Sequence, residues 1–135
     1  MLHFLRLEIA IMALAGSVLV TSLAVADESG ARVVAFYGYD DCIRLENEST
    51  RVTLCPAAGG RVLEYALDGT NCLYLKPGNE GWTYEPGKTG GSMTAGRFDI
   101  GPEYIIAKHP VLWMGRWTGE ITGPRSARLT SAKDE

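Results

Sequence analysis

The chain has 135 residues, of which 13 are basic and 16 acidic, giving a formal net charge of −3. The basic residues are scattered rather than clustered. This pattern lacks the electrostatic footprint of a nucleic-acid-binding or anionic-lipid-binding surface, so we expect neither partner. The length fits a single domain, and the sequence shows no internal repeat and no low-complexity tail.

The N-terminus has the features of a secretory signal peptide. Arg6 precedes an apolar run over residues 9–23, and Ala24-Val25-Ala26 fits the small-residue cleavage rule. We therefore expect a signal peptide at 1–26 and one exported domain at 27–135, periplasmic or extracellular and free of the membrane after cleavage. A retained anchor is the alternative, although the run is shorter than the ~20 residues that span a bilayer.

Two stretches, Cys42–Glu46 and Arg51–Cys55, alternate between apolar and polar residues with the period of a half-buried strand. A chain reversal at Glu48-Ser49 gives them one register in which facing residues agree in polarity. The predicted pairs are Ile43 with Leu54, Leu45 with Val52, Glu46 with Arg51, and Arg44 with Thr53.

A second hairpin is predicted around Asp68-Gly69, the strongest short turn signal in the chain. Its strands are residues 61–67 and 72–75, with Leu63, Tyr65 and Leu67 sharing an apolar face with Cys72 and Tyr74. The connector Pro56–Gly60 suits a sharp change of direction between the two ribbons. Stacking of the ribbons predicts an all-β, antiparallel β-sandwich.

The segment Arg51–Val62, the turn Asp68–Asn71 with Leu73-Tyr74 after it, and Gly96–Asp99 resemble the galactose mutarotase (aldose 1-epimerase) superfamily, in particular its uncharacterised secreted bacterial type. The resemblance covers roughly residues 33–129. It implies the front portion of a mutarotase-like supersandwich that faces carbohydrate. Because members of that superfamily are longer, we expect a truncated domain whose unpaired strand edges favour oligomers or aggregation.

Beyond the second hairpin the pattern weakens. Residues 76–102 are rich in glycine and proline and show no sustained alternation of apolar and polar residues. A structureless loop of this length is unusual in a compact domain, so we expect the segment to lie against another surface. Further strands are predicted at Tyr104–Ile106, through Leu112–Ile121 and at Ala127–Thr130.

The resemblance also directs the search for a site. Mutarotases use a glutamate and histidines for general acid–base catalysis. The resemblance implies that these residues lie in the downstream part of the fold, which we expect this truncated domain to lack. We therefore assign no catalytic residue and expect no acceleration of anomerisation. Sugar sites combine aromatic faces with planar polar groups. The sugar-binding candidates are Arg97, Asp99, Glu103, His109, Trp113 and Trp117, with Trp82 as a further stacking residue.

All of these candidates except Glu103 have a structural alternative. The tryptophans also fit a sandwich core, Arg97 and Asp99 fit an ion-paired loop, and His109 fits a packed or surface position.

Other chemistry has little support in the sequence. The glycines at 90–91 lack the context of a phosphate loop, and the cysteines are too widely spaced for a zinc knuckle, so no cofactor and no metal is expected. Strand parity places Cys42 opposite Cys55 on the polar face, where export permits a disulfide. Cys72 is then a buried free thiol on the apolar face. Three free cysteines are the alternative.

Two functions of different classes remain open. One is a carbohydrate-binding, mutarotase-like domain that is catalytically incomplete as it stands. The other is a non-catalytic structural or interaction module of the bacterial cell envelope.

Overall fold

The computed structural model describes residues 29–87, 96–99, 101–102 and 104–133. The predicted signal peptide and Glu103 lie outside them. The described chain is almost entirely antiparallel β-structure, which confirms the predicted all-β class. Its elements are β1 (Gly30–Phe36), β2 (Tyr39–Glu46), β3 (Thr50–Cys55), a 3₁₀ turn (Pro56–Ala58), β4 (Arg61–Leu67), β5 (Thr70–Asn71), a short helix α1 (Pro110–Met114), β6 (Thr118–Gly123) and β7 (Ser126–Thr130).

Strands β1 to β5 form one sheet in chain order, and β6 and β7 form a second. The predicted register between β2 and β3 is confirmed at all four pairs. The two predicted ribbons, however, are not stacked on each other. Strand β3 pairs with β4 directly, so both ribbons are neighbours in the same sheet.

Turn chemistry fixes two of the hairpins. Tyr37-Gly38 joins β1 to β2 and Asp68-Gly69 joins β4 to β5, and all four residues have positive φ, of 48° and 78° in the first turn and 47° and 82° in the second. Two consecutive positive φ values match the twist of the flanking strands. Strand β5 starts directly after Gly69 and ends at Asn71, earlier than predicted.

A β-bulge in β4 changes the faces predicted for the second hairpin. The register shifts between Thr53 and Leu54, so Leu63 is inserted as an extra residue. Leu63 is consequently 1 % exposed, whereas Tyr65 and Leu67 are 53 % and 60 % exposed. The prediction that these three share one apolar face is therefore wrong, because the bulge reverses the alternation at one point.

The sequence pattern predicted that Cys42, Thr53 and Cys55 lie on the polar face of the sheet. In the structure this face is buried, and we call it the inner face. A disulfide joins Cys42 to Cys55 with a Cα–Cα distance of 4.3 Å, the close spacing of a non-hydrogen-bonded pair. Both cysteines and Thr53 are fully buried. Val34, Phe36, Tyr37 and Leu75 pack against this core. Cys72 is free but exposed, which corrects its predicted burial.

Charged groups on this inner face form a connected network. Glu64, 4 % exposed, accepts hydrogen bonds from Thr53 Oγ1 at 2.6 Å and from Arg44 Nη2 at 3.0 Å. Arg51 Nε lies 3.2 Å from its other oxygen. Glu46 extends the network through ion pairs with Arg51 and Arg32. The carboxylates thus compensate the guanidinium groups that the fold withdraws from water.

The small sheet lies against the outer face of the large one. The N–H of Ala31 donates to the carbonyl of Pro124 at 2.8 Å, and a Cβ on Gly119 of β6 would lie 3.1 Å from Cδ1 of Ile43. Gly119 thus makes a close approach possible between β6 and the side chains of β2. Strand β7 matches the strand predicted at Ala127–Thr130.

One other predicted strand is wrong, and the strand predicted through Leu112–Ile121 is correct only from Thr118 onwards. Residues 104–106 form a turn in which the N–H groups of Ile105 and Ile106 donate to the Pro102 carbonyl. In the second case, Pro110 begins a helix that ends at Met114, so β6 starts only at Thr118. Proline at the first helical position is pre-organised for the helix and cannot continue a strand ladder.

In the part of the chain that the structure describes, no helix is both long and apolar enough to cross a membrane.

We expect reduction of the Cys42–Cys55 bond to lower the free energy of unfolding by about 2–4 kcal/mol, because the bond restricts the unfolded chain across its 13-residue separation. The measurement is thermal or urea unfolding of the C42S/C55S double variant beside C72S, which removes only the exposed thiol. Equal destabilisation by the two variants would contradict the role assigned to the disulfide.

We expect Glu64→Gln to destabilise the fold by about 2 kcal/mol, because it leaves Arg44 and Arg51 without their shared carboxylate. The matched control is Glu120→Gln, which breaks the exposed Arg128–Glu120 pair and should change stability by less than about 0.5 kcal/mol. Urea unfolding measures both variants. Indistinguishable midpoints would show that the inner network contributes no more than a surface pair.

Candidate functional site

Four of the predicted sugar-binding residues lie together. Arg97 Nη2 donates to Asp99 Oδ2 at 2.6 Å, and the Arg97 guanidinium lies 5.2 Å from the centroid of the Trp113 ring. The His109 ring meets Trp113 edge-on at 6.0 Å. Gly96 anchors the segment, because its carbonyl accepts from the N–H of Val62 at 3.0 Å. These four candidates are therefore neighbours, while their role in sugar binding stays a prediction.

The members of this cluster are engaged with one another. Trp113 is 6 % exposed, and Arg97 covers its ring by a cation–π contact of the usual geometry. A sugar needs an open aromatic face for stacking, which Trp113 does not offer. The structure therefore favours the packing alternative for Trp113 and the ion-paired loop for Arg97 and Asp99. Glu103 lies outside the described residues.

Arg61 and Tyr39 lie behind this cluster. Burial, reinforced by the neighbouring charge of Arg97, lowers the pKa of Arg61 to about 10. Burial likewise raises the pKa of Tyr39 to about 12, and its hydroxyl donates to the Trp82 carbonyl at 2.5 Å. Trp82 thus holds the segment after β5 against β2 through its backbone.

Trp117 occupies a different environment from Trp113. Since residues 110–114 are helical and β6 begins at Thr118, the two tryptophans do not share a strand face. Trp117 Nε1 donates to the Leu112 carbonyl at 2.9 Å, and its backbone N–H donates to the Pro56 carbonyl at 2.9 Å. Phe98 stacks on its ring at 6.1 Å with an interplanar angle of 20°.

A groove of about 430 Å³ opens beside Trp117, between the outer face of the large sheet and β6. This volume falls within the roughly 300–1,000 Å³ that small-molecule sites occupy. Residues from β1, β2, β6 and the segment before β6 meet there. The lining includes Val33, Asp41, Ile43, Arg116, Trp117 and Ile121.

An ion pair between Arg116 and Asp41 forms the polar part of this groove, joining residues that are 75 positions apart in sequence. The side chains are 66 % and 37 % exposed, so both reach solvent. A carboxylate and a guanidinium side by side offer acceptors and donors in fixed planes, which suits a pair of adjacent hydroxyls. One edge of the groove therefore presents hydrogen-bond acceptors and donors side by side.

The described residues that line the groove include no acid–base pair for ring opening. Asp41 is the one carboxylate among its described lining residues, and His109 packs against Trp113 instead. General acid–base catalysis needs a second titratable group within hydrogen-bond reach of the substrate. Nor does any group of three or more Asp, Glu, His or Cys side chains converge as a metal site within the described residues.

Sequence reasoning missed Asp41 and Arg116. The one available signal for Asp41 was parity, because it lies two residues before Ile43 and hence on the same face of β2. Arg116 carried no such signal, since the residues around it were predicted to be a continuous strand.

No family model, curated protein or solved structure matches the chain.

We expect Gly60→Ala to displace Trp117, because Gly60 has a φ of +65° and an added Cβ would overlap the indole ring. The matched control is Gly69→Ala, whose φ of +82° imposes similar strain while no atom lies within 4 Å of the added Cβ. Gly60→Ala should therefore destabilise the fold more and shift the tryptophan fluorescence. Equal stability and unchanged emission in both variants would contradict the contact.

Proposed function

We propose that the chain is a non-catalytic, mutarotase-like domain that binds carbohydrate in the groove between Asp41 and Arg116. The observation that carries the proposal is the occurrence of an exposed carboxylate–guanidinium pair beside the apolar side chains of Val33 and Ile43 in one groove of about 430 Å³. Planar polar groups that bind adjacent hydroxyls, beside an apolar surface for the C–H face of the ring, are what a sugar requires.

The proposed compartment is the periplasm or the cell exterior. The signal-peptide pattern at residues 1–26 supports export. The Cys42–Cys55 disulfide supports it independently, because such bonds form and persist chiefly in oxidising compartments.

A second candidate is a structural or interaction module of the cell envelope. The observation that favours it is the exposure of Tyr65, Leu67 and Tyr74, at 53 %, 60 % and 68 %. Exposed aromatic and aliphatic side chains near one hairpin are typical of contact surfaces between proteins.

We expect the full chain to bind hexoses, and Asp41→Asn and Arg116→Gln each to weaken that binding by about tenfold or more, since each removes a charged hydrogen-bonding partner. Isothermal titration calorimetry or ligand-observed NMR measures the affinities. The matched controls are Glu120→Gln and Arg128→Gln, which alter an ion pair of the same chemistry outside the groove. Polarimetry with galactose should show no rate above that of buffer.

Two results would overturn the proposal. One is the absence of binding to every sugar in a broad panel at millimolar concentration, which would favour the interaction module. The other is binding that the Asp41 and Arg116 variants leave unchanged, which would place the site elsewhere.

A further inference from the structure

The groove beside Trp117 has an aliphatic end as well as a polar one. Val33 on β1 is 62 % exposed and Ile121 on β6 is 41 % exposed, and both line this groove. These two aliphatic side chains offer apolar surface within one groove, and a ligand that covers it gains free energy in proportion to the area removed from water.

Strand register separates the two ends. Val33 faces Ile43 across β1 and β2, and Asp41 lies two residues before Ile43 on the same strand face. Arg116 and Thr118 line the groove with Asp41. Ile121 lies three residues further along β6, towards Pro124, whose carbonyl accepts from Ala31.

The spacing of the ends is that of one sugar ring. Two residues along a strand span roughly 7 Å, so Asp41 and the Val33–Ile43 pair are separated by about the width of a substituted pyranose. A hexose whose hydroxyls at C2 and C3, on the side of the ring away from C5, bond Asp41 and Arg116 would then direct its C6 substituent towards Val33 and Ile121.

We infer that the groove selects 6-deoxyhexoses, whose C6 is a methyl group, over hexoses that carry a hydroxyl there; this inference rests on the proposed carbohydrate function. A methyl group between Val33 and Ile121 buries apolar surface. A C6 hydroxyl in the same place would lose its bonds to water, and the aliphatic walls supply no partner.

The test is calorimetric or NMR titration of the full chain with sugar pairs that differ only at C6: D-fucose with D-galactose, 6-deoxy-D-glucose with D-glucose, L-fucose with L-galactose and L-rhamnose with L-mannose. The deoxy member of the pair that binds should bind about fivefold more tightly. Val33→Thr, a change of nearly equal shape that adds a hydroxyl, should bring that ratio close to one. Leu67→Thr is the control, because Leu67 is exposed on β4 outside the groove.

The outcomes separate this inference from the function on which it rests. Equal or tighter binding of the hydroxylated member would overturn the selectivity and leave carbohydrate binding in place. A deoxy preference that Val33→Thr does not reduce would overturn the assignment of the aliphatic end. Failure of every pair to bind would overturn both the selectivity and the proposed function.

Discussion

Glu64 sits on the buried inner face of the large sheet, where its carboxylate meets Arg44, Arg51 and the hydroxyl of Thr53. Withdrawing such charges from water is costly unless every partner is in place, so the network tolerates one arrangement of β2, β3 and β4. The bulge at Leu63 makes this possible, because it keeps both Leu63 and Glu64 on the inner side. The disulfide between β2 and β3 then locks the same register covalently.

With its polar residues buried inside, the sheet presents an apolar outer face, and the small sheet covers part of it. Trp117 connects the two layers through its bond to the Pro56 carbonyl and its contact with Gly60. These contacts position the segment before β6, and Arg116 within it reaches Asp41 on β2. The groove is therefore a consequence of how the small sheet packs on the large one. On the large sheet, Asp41 forms its polar end, and Ile43, two residues further along β2, forms its aliphatic end together with Val33 of β1.

The parts of the fold that sequence could predict are those governed by local patterns. The register of β2 with β3, the Asp68-Gly69 turn and β7 follow from alternation and turn chemistry. Strand β1 was missed because its apolar run, Val33 to Phe36, has no alternation. The burial of the polar face could not be predicted, because alternation identifies two faces but not which one is covered.

The same limit applies to the site. The sequence proposed Arg97, Asp99, His109 and Trp113 for their side-chain chemistry, but only the structure shows that they pack against one another. The Asp41–Arg116 pair depends on the position of Arg116 between α1 and β6, far along the chain from Asp41. No local pattern encodes a contact of that separation.

Residue-resolved amide hydrogen exchange of the full chain tests most directly whether the inner face of the large sheet supports the rest. The account predicts that the slowest amides lie in β2, β3 and β4 around Cys42, Thr53 and Glu64, and that β6 and β7 exchange through an earlier, separate opening. Slowest exchange in β6 and β7, or exchange of the central strands before the small sheet opens, would contradict it.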